Sequence, residues 1–330
     1  MKVVITGGAG FLGLRLATRL LELGTLKGPN GQLHNIDELV LFDIQEPTQA
    51  PALKGIKVSC VCGQISNRGT VQALINQDDI SVFHLASVVS GGGEKDFDLA
   101  MSVNLDGGRY LLEALRARQS CPRLVFTSSI VVFGGQAMPS VVGDTAKQTP
   151  QTTYGMTKTI GELLINDYSR KGFVDGRSAR LPTVIIRPGQ ANAAASSFAS
   201  GVFREPLNNV ECLLPVPRDT MMPVLGYRAI VEGLVHLHNL DGEKLGDDRA
   251  VSLPCLNVSV TQMIDALKRV AGSRRLGAIT DRPDSFITKI VQSWPAECET
   301  SRAQQLGFPT ELSLDEIVQY YIEDYLGSHP

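Results

Sequence analysis

Tyr154 and Lys158 stand four residues apart in Tyr154-Gly155-Met156-Thr157-Lys158, within a helix-patterned stretch that continues through Leu163 and Leu164. On a helix, that spacing puts both side chains on one face. A tyrosine hydroxyl with a reference pKa near 10 is a poor base at neutral pH, and a fixed ammonium nearby favours the phenolate. Lowering that pKa by about 2 to 3 takes about 3 to 4 kcal/mol of differential stabilisation. The pair is suited to taking a proton from a hydroxyl group. Upstream, Leu124-Val125-Phe126-Thr127-Ser128-Ser129 reads as a strand that ends in serines, and Ser129 is placed to hold the reacting oxygen.

A second constellation opens the chain. The strand-like Val3-Val4-Ile5-Thr6 runs into Gly7-Gly8-Ala9-Gly10-Phe11-Leu12-Gly13 and then into Leu14 to Leu23, which has helical apolar spacing. In a strand, glycine turn and helix of this kind, Gly7 permits the tight turn, Gly10 lets backbone approach a pyrophosphate, and Gly13 lets the helix pack closely on the strand. A dinucleotide fits. Asp43 ends the next strand, Leu39-Val40-Leu41-Phe42, where its carboxylate can accept hydrogen bonds from both ribose hydroxyls and repel a 2′-phosphate, so NAD is expected rather than NADP. The separation from Gly13 to Asp43 is long, and the extra residues 26–37 read as an inserted turn. The positive ring of the oxidised nicotinamide would assist Lys158 in favouring the Tyr154 phenolate.

These residues need a scaffold, and the chain is long enough to supply one. Its 330 residues fit a large α/β domain carrying a smaller lobe. Hydrophobic residues at 43% and charged residues at 20% are ordinary globular usage, which excludes disorder. With 31 Lys and Arg against 34 Asp and Glu and no long block of either sign, nucleic acid is not an expected partner. Six cysteines, at 60, 62, 121, 212, 255 and 298, are too sparse for a disulfide scaffold and are expected to be reduced. Cys60 and Cys62 lack partners for a closed zinc site, and His236 and His238 diverge on a helix, so no metal is expected. The chain starts directly on a strand without a secretory leader, and the uncharged stretch Leu124 to Gly143 is broken by glycines and a proline, so a cytoplasmic enzyme without a membrane segment is expected.

From residue 1 to about 190, β-branched runs alternate with helical stretches, the pattern of a doubly wound parallel sheet of Rossmann type. Six strands are expected: Val3 to Thr6, Glu38 to Phe42, Lys57 to Cys62, Ser81 to Leu85, Arg123 to Ser128 and Thr183 to Ile186. This gives a dinucleotide-binding domain over 1–190, to which a segment near 224–242 returns, and a smaller mixed α/β substrate lobe over most of 191–330. Helices are expected near 227–240 and 260–271, and Gly91 to Gly93 reads as a loop.

Taken together, these motifs resemble the extended short-chain dehydrogenase/reductase family over nearly the whole chain. Thr6 to Gly13 is similar to its T-G-x-x-G-x-x-G fingerprint, Tyr154 to Lys158 to its Y-x-x-x-K, Ser128 to Gly134 to its S-S-x-x-V-[YF]-G stretch, and Arg302 to Gly307 to its late K/R-A-x-x-L-G. The resemblance implies Ser129, Tyr154 and Lys158 as catalytic residues, with Asn104 supporting their network, and a homodimer joined through helices of the sheet domain. It implies an NAD site formed by Gly7, Gly10, Phe11, Leu12, Gly13, Asp43, Ile65, Leu85, Ala86, Ser87, Asn104, Tyr154, Lys158 and Pro188, with His84-Leu85-Ala86 beside the cofactor.

The substrate lobe departs from the pattern of the family's sugar-nucleotide epimerases and dehydratases. Gln190 stands where they carry an asparagine, and their R-D-[FY]-[IV]-H-V-x-D segment survives only as Arg218-Asp219. The stretch Arg180 to Gly189, followed by Ala194 to Gly201 and Arg204 to Leu207, is instead similar to the branch that oxidises small sugar acids, the D-erythronate dehydrogenases. That likeness implies oxidation of a C2 hydroxyl by NAD, with Ser129, Tyr154 and Gln190 at the substrate. A small carboxylate needs charge-assisted hydrogen bonds to orient it, and Arg218, then Arg228, are the expected anchors. A nucleoside-diphosphate-sugar epimerase or dehydratase and a non-catalytic dinucleotide sensor are the alternative readings.

Overall fold

The computed structural model describes residues 1–311 and 313–327. Seven parallel strands form the central sheet: β1 (Lys2–Thr6), β2 (Glu38–Asp43), β3 (Lys57–Cys62), β4 (Ile80–His84), β5 (Arg123–Ser129), β6 (Asp175–Leu181) and, after a second small sheet has begun, β9 (Ala250–Ser252). Their spatial order is β9-β6-β5-β4-β1-β2-β3. The order reverses between β1 and β4, which opens a crevice at the carboxyl ends of the strands. The small sheet consists of β7 (Thr183–Ile185), β8 (Met221–Gly226) and β10 (Leu256–Ser259), with β7 parallel and β10 antiparallel to β8.

The helices follow the same logic. In chain order they include α1 (Phe11–Leu23), α2 (Arg68–Leu74), α3 (Ser90–Lys95), α4 (Gly107–Arg116), α5 (Thr153–Arg170), α6 (Ser197–Leu207), α7 (Tyr227–Asn239), α8 (Val260–Ala271) and α9 (Leu314–Tyr325). Strand side chains alternate between faces. Val3 and Ile5 of β1 therefore pack with Leu16 and Leu20 of α1 and Ile230 and Leu234 of α7 on one face. Val4 packs with Val71 of α2 and Leu111 and Leu115 of α4 on the other. A third core, built from Phe198 and Phe203 of α6, Met263 of α8 and Ile317 of α9, holds the lobe together.

Three expectations are corrected. The sixth strand of the main sheet is Asp175–Leu181, and Thr183–Ile185 pairs with Met221–Gly226 in the lobe. Asp175, Arg177 and Arg180 give the true strand a charged appearance. Its Arg177 is nevertheless buried, donating Nη1 to the carbonyls of Leu237, His238 and Leu240 at the end of α7. Gly91 to Gly93 lie in helix α3 rather than a loop, and a Cβ on Gly91 would collide with the Ala193 carbonyl. The sheet also gains a seventh strand from residues 250–252, well beyond residue 190. The insertion at 26–37 is a short hairpin, Thr25–Lys27 against Leu33–Asn35.

Candidate active site

The carboxyl edge of the sheet converges on one cavity of about 300 Å³. Its walls come from the glycine turn after β1 (Gly7, Gly10, Phe11, Leu12, Gly13), from the segment after β4 (Leu85, Ser87), from the end of β5 (Thr127, Ser129) and from Tyr154 and Lys158 on α5. The lobe closes it with Arg187, Asn192, Ser196, Ser197 and Arg204.

Helix α5 begins where Thr152 accepts a hydrogen bond from the Gly155 amide at 3.0 Å, a side-chain N-cap that fixes the first turn and with it Tyr154. Lys158 follows one turn later. It is buried, donates Nζ to the Thr127 carbonyl at 2.7 Å and lies 5.3 Å from the centre of the Tyr154 ring. Burial pushes Lys158 down to about 7, opposed by the Glu162 carboxylate. Burial also pushes Tyr154 up to about 12, opposed by a hydrogen bond from Ser129. The expectation that Lys158 holds the phenol low is therefore not met: desolvation is the largest influence on both groups and favours their neutral forms. The Ser129 oxygen accepts from the Val131 amide at 3.4 Å, which leaves its proton for the phenol.

Beneath this pair lies a buried ionic layer absent from the sequence reading. Arg180 forks onto Glu162, with Nη2 to Oε2 at 2.8 Å, and reaches Asp144 at 3.1 Å. Ser128 and Gln148 also donate to Glu162. Asn104 sits in a π-helical segment, Met101–Asp106, that leads into α4. Its side chain accepts from the Val88 amide at 2.7 Å, donates to the Val88 carbonyl at 3.0 Å and donates to Thr157 Oγ1 at 3.2 Å. Asn104 thus ties the segment after β4 to the helix that carries Tyr154.

The residues at the glycine turn fit a dinucleotide. Gly7 has φ +72°, and a Cβ there would sit 2.9 Å from the Ala86 nitrogen; a Cβ on Gly13 would sit 2.8 Å from the Gly8 Cα. Gly10 caps α1 without a side chain and the first turn holds no acidic residue, so the amino-terminal amides of α1 have no side-chain cap and no like charge opposing an anion there. Asp43 accepts from the Ala9 and Ile44 amides at 3.0 and 2.7 Å, and each carboxylate oxygen keeps a lone pair for a ribose hydroxyl. His84 Nδ1 meets Thr6 Oγ1 at 2.7 Å, and the Ala86 amide donates to the same hydroxyl at 3.2 Å, which fixes the turn after β4.

Several expected residues lie outside the cavity walls. Ile65 is buried against Gly107, while Pro188 and Gln190 follow the wall without lining it, Gln190 accepting Arg187 Nη1 on its backbone carbonyl at 2.7 Å. Arg218 and Arg228 are corrected as carboxylate anchors. Arg218 is exposed and donates to Asp281 at 2.8 Å. Arg228 pairs with Asp324 at 2.6 Å and stacks on Tyr320 in a separate cleft between α1, α7 and α9. Each guanidinium pairs with a carboxylate far along the chain, and neither residue lines the cavity. The basic residues that do reach the cavity from the lobe are Arg187 and Arg204.

Residues 4–240 match the 3-beta hydroxysteroid dehydrogenase/isomerase family. The chain belongs to that family. This extended short-chain dehydrogenase is an oxidoreductase. It is 49% identical to the D-erythronate dehydrogenase of Cupriavidus necator, with 98% of each chain covered. It is 39% identical to the D-erythronate dehydrogenase of Haemophilus influenzae, covering 98% of this chain and 99% of that one. A crystal structure of a nucleoside-diphosphate-sugar epimerase from Agrobacterium tumefaciens superposes with a TM-score of 0.91 at 41% identity, covering 100% of this short-chain dehydrogenase and 95% of the other chain.

Proposed function

We propose that this enzyme oxidises the C2 hydroxyl of a small sugar acid, D-erythronate, to the 2-oxo acid, with NAD as the oxidant. The observation that carries the reading is the cavity itself: Ser129, Tyr154 and Lys158 share it with the glycine turn, and its formally charged walls are all cationic. The names of the 49% and 39% identical relatives support the substrate.

When bound, NAD supplies the acceptor for the hydride that leaves C2. The protein's own residues handle the proton. Between about 7 and about 12 the phenol keeps its proton beside a neutral amine, and the reactive form is the phenolate beside the ammonium, which has the same total charge. The phenolate takes the hydroxyl proton of the substrate as the C2–H bond breaks. With substrate in place Ser129 turns its one proton from the phenol to the same substrate oxygen and orients it, and the Thr127 carbonyl keeps Lys158 aimed at the site. Glu162 stabilises the ammonium from below.

The same reading has the enzyme working in the cytoplasm as a homodimer joined through helices of the sheet domain. Leu163 on α5 and Phe97 on the adjoining short helix Phe97–Ala100 are exposed apolar side chains suited to such a contact.

The test is direct. Purified enzyme mixed with NAD and D-erythronate is expected to generate NADH and the 2-oxo acid in equal amounts. Tyr154→Phe is expected to bind NAD as before and to turn over at least a hundredfold more slowly. The epimerase reading, favoured by the name of the Agrobacterium structure, requires instead interconversion of a UDP- or GDP-sugar with no net change in coenzyme. A sensor would leave turnover indifferent to the loss of the phenol.

A further inference from the structure

Three formally charged side chains line the cavity, Lys158, Arg187 and Arg204, and no aspartate or glutamate joins them among the described residues. Lys158 is committed to the Thr127 carbonyl beneath the tyrosine. Arg204 is 4% exposed and is committed too: Nη1 donates to the Arg187 carbonyl at 2.9 Å and Nη2 to the Glu205 carboxylate. Arg187 differs from both. It is half-buried, and among the described residues its one side-chain hydrogen bond runs from Nη1 to the Gln190 carbonyl at 2.7 Å and no carboxylate pairs with it. Burial and the neighbouring Arg204 both push against its charge.

A guanidinium drawn partly out of water beside a second cation, with no anion of its own, is costly in isolation and favourable once an anion arrives. The backbone around it is fixed. The Arg187 amide donates to Ser200 Oγ at 3.0 Å while its carbonyl accepts Arg204, so both sides of the residue are clamped to α6. Nε and Nη2 remain as a planar pair of donors, the geometry that matches a carboxylate with two hydrogen bonds.

We propose that Arg187 binds the substrate carboxylate and so selects acids over neutral polyols, with Arg204 as a positioning residue that holds the Arg187 backbone. The proposal rests on the reading that this cavity takes a small sugar acid. It replaces Arg218 and Arg228, which their carboxylate partners hold elsewhere.

The experiment compares wild type, Arg187→Ala, Arg187→Lys and Arg187→Gln. Gln keeps a donor for the Gln190 carbonyl where Ala disturbs folding. Two measurements are made on each: calorimetric titration of the NADH-loaded enzyme with D-erythronate, and KM and kcat for D-erythronate against its neutral amide. Arg187→Ala and Arg187→Gln are expected to weaken D-erythronate binding and raise its KM at least tenfold, with NADH affinity and the KM for the amide within twofold of wild type. Arg187→Lys, a point charge without the fork, is expected to fall between. Equal losses for acid and amide, or no loss for the acid, overturn the proposal. Wild type that binds sugar acids without oxidising them overturns the reaction, and the titrations still decide Arg187. Wild type that binds no four- to six-carbon sugar acid overturns both.

Discussion

At the scale of single residues, desolvation sets the chemistry of the site. The same burial pushes Tyr154 up to about 12 and Lys158 down to about 7, so across that span the phenol keeps its proton while the amine has lost one. Below about 7 both are protonated and no base is present, so kcat/KM is expected to rise with unit slope through an acid limb near pH 7. Glu162 favours the ammonium form of Lys158; replacing it by Gln removes that help, lowers the Lys158 pKa further and should carry the limb to lower pH. Rates normalised to the fraction of folded enzyme would show this, and a limb that stays in place would separate Glu162 from the titrating pair. The motif residues were legible because their spacing is itself the signal. The loss of Arg218 and Arg228 as anchors was not, because what disqualifies them is Asp281 and Asp324, 63 and 96 residues away in sequence. Arg187 looks like any other arginine until the fold reveals that it has no such partner.

At the scale of elements, β6 and α7 show where pattern reading stops. A buried strand is expected to be apolar, yet Arg177 lies at its centre because the carbonyls that end α7 accept its guanidinium and Asp175 balances its charge. The start of α7 is just as particular. Glu311 accepts from the Gly226 amide at 2.6 Å, the Ala229 amide also favours its carboxylate, and a Cβ on Gly226 would collide with the carboxyl group. Burial pushes Glu311 up from 4.5 to about 7. Between those pH values the unfolded chain has released this proton while the folded chain keeps it, so folding stability falls as pH rises through the window and is flat above it. The full loss is about 3 kcal/mol. Glu311→Gln keeps an acceptor for the Gly226 amide and does not titrate, so its stability relative to wild type should improve by up to that amount between pH 5 and pH 8. Urea unfolding at the two pH values measures it; a constant difference between the proteins would mean that Glu311 ionises normally.

At the scale of the whole molecule, the parallel sheet, its glycine turn and the existence of a second lobe were legible, because alternating strand and helix patterns leave few other architectures. Two strands of the sheet were not: the one at 175–181 is disguised by charge and the one at 250–252 is too short to register as a pattern. The proposed homodimer belongs to this scale. Leu163→Arg on the exposed face of α5 is expected to yield monomers, with light scattering after size exclusion giving a mass near 35.6 kDa instead of twice that. A wild type already at the smaller mass would end the dimer proposal.

The late arrival of α7 and β9 also constrains how this enzyme can be divided. Part of the sheet and one of its covering helices are delivered only after the chain has travelled out through the lobe and come home. An excised amino-terminal piece would present α1 and the neighbouring strands with one flank bare, an invitation to stick to other molecules rather than a miniature coenzyme binder. Changes of substrate preference must therefore come from rewriting the loops and the α6 wall in place, since neither half can be traded away whole.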